Sequence, residues 1–185
     1  MRIKYKVWSL ATAIISIIVF ADIYFGYRHI ESSIQLELNR DADDVRAILM
    51  STRRVYQKQF IESGLPVNEN TIGFLPAHAM AHISVDFPHW SSTGLTFNNV
   101  SDRPRNPNNR ANSFELDAMN WFRANPHEKS RLVEISKDNT TFYHYTSPIW
   151  IEEYCLSCHG SRMAAPSSIS ASYTDSYDYL DGELR

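Results

Sequence analysis

Residues 155–160 read Cys-Leu-Ser-Cys-His-Gly, and Cys155 and Cys158 are the only two cysteines among 185 residues. The pattern C-x-x-C-H is the attachment sequence of a c-type haem. Two thiols three positions apart can each add across a vinyl group of one porphyrin, forming two thioethers. The next residue, His159, then lies under the iron and supplies its proximal imidazole. The pattern predicts one covalently attached haem c, held by Cys155, Cys158 and His159, and it consumes the whole thiol inventory.

Three rivals compete for the same residues. A structural zinc site wants four ligands, usually with a second Cys/His pair at short spacing. Of the seven histidines only His78 and His82 stand at such a spacing, far upstream. A thioredoxin-like C-x-x-C belongs between a strand and a helix in a βαβ pattern. Here Tyr-Thr-Ser-Pro-Ile-Trp precedes the motif and Gly-Ser-Arg-Met follows it. A disulfide across two residues would be strained. The haem reading is the one that uses all of the stretch.

Positions 7–27 read VWSLATAIISIIVFADIYFGY, 21 residues with one charge, Asp22. That is long enough to cross a bilayer as a helix. Arg2, Lys4 and Lys6 precede it, so the positive-inside rule puts the N-terminus in the cytoplasm and the rest outside. A cleaved signal peptide would need small residues at a cleavage site, and Val19-Phe20-Ala21 is a poor one. An uncleaved anchor in the inner membrane, with the domain in the periplasm, is therefore expected. Covalent haem attachment in bacteria takes place on that side. The net charge is −3; without the three leading basic residues it is more negative still. No basic stripe marks a nucleic-acid partner.

From about position 30 to 60 neither Gly nor Pro occurs, and Ile34, Leu38, Val45, Ile48 or Leu49 and Val55 recur with a period near 3.5. The pattern predicts a long helix that packs on the domain or runs as a stalk and pairs with a second copy. Gly64 and Pro66 end it. Pro76 opens a short helical stretch, PAHAMAHIS. Positions 85–104 read as irregular, with a short strand at 95–97. Residues 101–112, SDRPRNPNNRAN, read as a polar connector. Asn112 with Glu115 makes a capping box for a helix whose apolar face is Phe114, Ala118, Trp121 and Phe122. Residues 132–135 and 141–145 then read as a hairpin turning at Lys137-Asp138-Asn139. The tail from Met163 is rich in Ser and Tyr and weakly patterned. The expected division is a basic flank 1–6, a membrane anchor 7–27, a stalk helix 28–62 and a domain over 63–185. The residues themselves support an α+β class.

Several landmarks stand in order: the membrane helix, the long helix, FLPAHAM, VSDRPRNPNNRAN, FELDAMNWFRAN, YHYTSPIWIEEYCLSCHG and YDYLDGELR. Together they resemble the periplasmic haem c-binding sensor domain with a PAS-like fold, first recognised in cyanobacteria and found in front of histidine kinases, diguanylate cyclases and chemotaxis-type transducers. The resemblance spans roughly 40–185. It implies a PAS-like haem c domain behind the stalk helix. The chain departs from the family's pattern in two ways. Gly-Glu-Leu-Arg normally leads into a further apolar strand, whereas the sequence stops at Arg185, so a core strand is expected to be missing or supplied differently. Some relatives resemble a His/Cys-ligated haem, and no cysteine remains here for that.

Two functions from different classes follow. One is a membrane-anchored sensor module whose haem detects redox state or a small gas and signals through the helix. The other is a membrane-anchored monohaem cytochrome that transfers electrons to a redox partner. No chemistry on a substrate is implied, so an enzyme is not expected; a peroxidase would need a distal His and Arg that nothing in the sequence fixes. Arg103, Arg105 and Arg110 are the candidates for the haem propionates, since arginines bind carboxylates through paired charge-assisted bonds. Trp90, Phe142, Tyr143 and Trp150 are candidates for packing on the porphyrin. The sixth iron ligand is expected from 76–83: His78 first, then His82 or Met80, or the site is vacant.

Overall fold

The computed structural model describes residues 2–68, 70–137 and 140–185, and divides into two compact units, Met1–Val45 and Arg46–Arg185. One helix, α1, runs over Arg2–Glu62. Its early part turns Ile14, Ile17, Phe20 and Ile23 outward, and it includes a segment apolar and long enough to cross a membrane. No helix break separates the expected anchor from the expected stalk at 27/28. The end of α1 is set locally. Phe60 is buried, Ser63 donates from Oγ to the Phe60 carbonyl at 2.7 Å, and Gly64 takes a φ of +66°. A left-handed residue just past the last turn is the usual helix stop, and glycine enters that region without a Cβ clash.

In the second unit, a 3-10 turn at Ile72–Phe74 leads into α2, Pro76–Asp86. Pro76 sits in the first turn, where its missing N–H costs nothing. A second 3-10 turn, Phe87–His89, follows. The short strand expected at 95–97 is absent. Instead Phe97 packs edge-on against Phe87, with ring centroids 5.3 Å apart. The side chain satisfied its burial against an aromatic of the preceding turn, with no neighbouring strand needed.

The loop 101–110 is a closed structure and not a loose connector. Ser101 donates to the Asn109 carbonyl and accepts from the Ala111 N–H, at 2.9 and 3.0 Å. Asn112 then caps α3, Ser113–Ala124, with both halves of the capping box formed: its Oδ1 accepts from Phe114 and Glu115 N–H, and Glu115 Oε2 accepts from Asn112 N–H at 2.7 Å. The buried face of α3 is Ala118, Met119 and Phe122. Phe114, expected inside, is exposed, and Trp121 is half-buried. The face is rotated toward Met119 because the core it meets contains Ala111 and Leu184.

Strands β1, Arg131–Lys137, and β2, Thr140–Thr146, pair antiparallel with Leu132 opposite Tyr145 and Ile135 opposite Phe142. The expected hairpin is therefore present; the Asp138 and Asn139 of its turn lie outside the described residues. Beyond it the chain passes through 149–151, which pairs with the last residues. Ile151 donates to the Glu183 carbonyl and Gly182 donates to the Ile151 carbonyl, both at 2.8 Å, while Arg185 donates to the Ile149 carbonyl. Trp150 bridges Leu184 antiparallel. Gly-Glu-Leu-Arg thus forms a strand-like pairing itself. Two short helices complete the unit, α4, Leu156–His159, and α5, Ser167–Ser172.

Two apolar clusters hold this unit. Ala111, Met119, Phe122 and Leu184 gather with Val100, Trp121 and Trp150 against them. Ile151, Cys155 and Tyr179 form the second, with Leu156. Burying a side chain such as Phe122 is worth about 2 kcal/mol. The second cluster includes Cys155, the first cysteine of the C-x-x-C-H stretch.

Candidate cofactor site

The C-x-x-C-H stretch forms a 3-10 turn, Glu153–Cys155, that continues into α4. Cys155 is buried, Cys158 is half-buried, and both are free thiols. Gly160 closes the turn, donating to the Leu156 carbonyl at 2.9 Å. A Cβ at Gly160 would stand 2.6 Å from that carbonyl oxygen. The turn therefore closes only with glycine.

His159 is buried, and its Nδ1 lies 3.1 Å from the Ser176 carbonyl oxygen. Burial, with Arg185, Arg105 and Arg53 adding to it, pushes its pKa down to about 3; the Ser176 carbonyl works in the opposite direction. The ring is neutral at neutral pH, and a carbonyl can only accept. Nδ1 must therefore carry the proton, which leaves the lone pair on Nε2. That is the tautomer a metal-ligating histidine needs, oriented by the bond its other nitrogen makes.

The partner of this turn is the Tyr-rich tail. Tyr179 N–H donates to the His159 carbonyl and Asp178 N–H to the Gly160 carbonyl, at 3.1 and 2.9 Å. The Tyr179 ring meets the His159 ring edge-on at 5.9 Å. Ser176 and Asp178 hold φ of +68° and +60°. Such conformations cost energy in residues other than glycine and persist where surrounding bonds over-determine them. Here they turn the Ser176 carbonyl toward His159. The alternation of Tyr177 and Tyr179, both buried, was the one sequence signal for this; a Ser-rich composition masked it.

The predicted residues separate into two groups. Arg105 reaches the motif: its Nη2 donates to the carbonyls of Cys158 and, at 3.3 Å, Ser176, and its Nε donates to the Asp175 carbonyl at 3.4 Å. Its guanidinium also stands over the rings of Tyr177 and Tyr173, at 4.6 and 5.5 Å. Arg103 pairs with Glu183 and covers the Tyr179 ring at 4.0 Å. Arg110 turns back to the Asp102 carbonyl at 3.3 Å, away from the motif. Trp90, Phe142 and Tyr143 are exposed on the surface, and Trp150 belongs to the α3 cluster. The aromatics beside His159 come instead from the tail.

Two cations near the motif carried no signal in the sequence. Arg53, on the last turns of α1, and Arg185 both act on His159. Burial pushes Arg185 down to about 10, Tyr179 opposes this, and Arg53 and Arg105 add to it. Together with Arg105 they make the surroundings of His159 electropositive.

Of the three candidates on α2, His78 faces the tail, with Nε2 3.4 Å from Tyr173 Oη. Burial and then His82 push its pKa down. Met80 is buried and lines a cavity of about 170 Å³ with Thr52, Arg53, Tyr56, Pro76, Ala79 and Ile83. His82 is exposed and lines an open hollow with Asp86, Phe87 and Trp90. Among the described residues no three of His, Cys, Asp and Glu gather as a metal cluster.

No curated protein matches the chain. Among solved structures, the crystal structure of the cyanobacterial heme-protein Tll0287 has the same fold: TM-score 0.55 at 20% identity, over 77% of this chain and 90% of that one. The family described as Tll0287-like matches residues 31–185, which takes in the second half of α1, the C-x-x-C-H turn and the tail. With that match over most of its length, the chain belongs to the Tll0287-like family.

Proposed function

We propose that this chain is a membrane-anchored haem c module that detects redox state or a small gas ligand and signals through α1. The observation that carries the haem is His159, a buried neutral imidazole in C-x-x-C-H whose Nδ1 is tied to the Ser176 carbonyl and whose Nε2 keeps its lone pair. The similar solved structure is that of a heme-protein, and membership of the family supports carrying that reading to this chain.

In this reading Cys155 and Cys158 hold the haem. Their two thiols would be the covalent attachment points, with each thiol hydrogen kept in the adduct, so no oxidant would be required. His159 would hold the iron through Nε2, and the iron would supply one-electron redox and gas-binding chemistry. Ser176 fixes the imidazole, and Arg105 fixes the end of the turn that carries it. His78 would supply the sixth ligand. The PAS-like architecture implied by the resemblance belongs to the same proposal, supported by the β1–β2 hairpin and the pairing of 149–151 with the chain's last residues.

The anchor reading rests on the apolar segment of α1 and the three basic residues before it. We take 1–6 as the cytoplasmic flank, 7–27 as the span, 28–62 as the stalk and 63–185 as the periplasmic domain. The same helix carries the span and, at its far end, Arg53 beside the motif. This continuity supports α1 as the output path, and pairing of two stalks into a homodimer follows from its heptad-like positions.

The test is production of the full chain with a cytochrome c maturation system. One haem should stay with the protein on a denaturing gel, and the Cys155→Ala/Cys158→Ala double variant should lose it. Covalent haem retained in the double variant overturns the assignment. A ferrous protein that changes spectrum with carbon monoxide or nitric oxide supports gas sensing. One that only exchanges electrons with a redox partner favours the carrier.

A further inference from the structure

We propose that the hollow at the end of α2 binds a small alkylated ammonium ion, with the Trp90 ring as its platform and the Asp86 carboxylate as its counter-charge. The hollow is lined only by residues within 82–90, so it is separate from the C-x-x-C-H turn and does not rest on the haem reading.

This open hollow holds about 380 Å³ and is lined by His82, Ile83, Asp86, Phe87 and Trp90. Trp90 is 84% exposed, an unusual state for a side chain that is highly buried on average. It is nevertheless held in place. Its backbone N–H donates to the Phe87 carbonyl at 3.0 Å, and its indole Nε1 donates to Asp86 Oδ2 at 2.9 Å. Phe87 is fixed in turn by the edge-on Phe97 ring, with centroids 5.3 Å apart. A large ring is thus pinned in solvent on the wall of the hollow, with a second anchored ring lining the same space.

The charge around these rings has one sign. Between Lys58 and Arg103 the sequence has no Lys or Arg. Asp86 takes part in no ion pair among the described residues. It is also the last residue of α2, where the partial negative charge of the helix end disfavours a carboxylate. The indole bond orients this anion but leaves its charge uncompensated. An alkylated ammonium answers both features. Its charge is attracted to the face of a tryptophan within about 6 Å of the ring centroid and to Asp86, while its alkyl groups rest against Phe87 and Ile83. An anion is repelled. A bare ammonium ion is more strongly hydrated and gains less from the rings.

The experiment is isothermal titration of the full chain, in a maltoside detergent that carries no ammonium group. The probes are tetramethylammonium chloride, choline chloride and the uncharged carbon isostere of choline, dimethylbutanol, with sodium chloride as the ionic-strength control. Both organic cations should bind saturably, and the alcohol should bind about tenfold more weakly. Asp86→Asn keeps an acceptor for the indole but removes the charge, and should weaken choline binding about tenfold. Trp90→Ala should abolish it, and Trp90→Phe should retain part of it. Thermal midpoints like that of the wild type show that the variants are folded; if Trp90→Ala is not, Trp90→Phe and Asp86→Asn carry the test. No saturable binding of either cation overturns the site. So does equal binding of choline and the alcohol, which would leave only an apolar hollow. Choline binding that is unchanged in every folded variant overturns it as well.

Discussion

Arg105 donates from Nη2 to the carbonyl oxygen of Cys158, so a loop residue 53 positions earlier clasps the C-terminal end of the C-x-x-C-H turn. The last carbonyls of a helix have no partner within it, and a cation there satisfies them and opposes the helix dipole. With Nε on the Asp175 carbonyl and a further bond to that of Ser176, the same guanidinium ties turn and tail together. Its Nε and Nη2 donors are spent on backbone carbonyls.

Arg105→Gln should therefore destabilise the domain by about 2 kcal/mol, the scale of charge-assisted bonds lost together. Arg110→Gln, bonded only within its own loop, should change stability by less than about 0.5 kcal/mol. Chemical denaturation of the two variants checks this, and equal effects would show that the clasp is not a structural contact.

Local signals in the sequence carried far. Asn112 and Glu115 announce a capping box because three residues suffice to define one, and the structure forms it. The hairpin and the start of α2 at Pro76 were legible for the same reason. The position of the apolar face of α3 was not, since Met119 faces inward only because Ala111 and Leu184 meet it there. The site divides similarly. C-x-x-C-H is written in five adjacent residues, whereas Tyr179, Ser176, Arg53 and Arg185 reach it through long-range pairing. Arg110 and Arg105 look alike in a polar loop, and only the loop's closure on Ser101 separates their directions.

Gly160 gives a sharper test of the turn. A Cβ there would stand 2.6 Å from the Leu156 carbonyl oxygen, and that oxygen is backbone, unable to move without opening the turn. Gly160→Ala should cost about 1–3 kcal/mol, as overpacking does, and should lower the haem-to-protein ratio after maturation. A variant with unchanged thermal midpoint and full haem load would mean that the turn relaxes freely.

The depressed pKa of His159 has a defined pH signature in protein lacking the haem, such as the Cys155→Ala/Cys158→Ala variant. The unfolded histidine titrates near 6.5 and the folded one at about 3. Below 6.5 the unfolded chain takes up a proton that the folded one refuses. The contribution is fully present above pH 6.5 and is lost as pH falls from there toward 3. For this group alone the loss at pH 5 is about 2 kcal/mol relative to about pH 8. Adding His159→Gln should flatten the stability profile over that window. An equally steep profile in its presence would assign the loss to other groups.

The last prediction concerns the sixth iron ligand. His78, His82 and Met80 lie within five positions on α2, and their surroundings separate them. Met80 is buried in the cavity against the end of α1, and His82 opens onto the outer hollow with Asp86 and Trp90. His78 alone turns to the tail, where Tyr173 Oη is 3.4 Å from its Nε2, and the Tyr173 ring lies beneath the Arg105 guanidinium that clasps Cys158. Burial, with His82 adding to it, pushes the pKa of His78 down, so the imidazole is neutral and able to ligate near neutral pH. The ferrous holoprotein should have a low-spin absorption spectrum. His78→Ala should convert it to high-spin, while His82→Ala and Met80→Leu leave it low-spin. Tyr173→Phe should keep the low-spin spectrum, because the imidazole nitrogen, and not its contact with the phenol, would bind iron. A protein that stays low-spin in His78→Ala excludes His78, and one that is high-spin from the start has an open site suited to a gas.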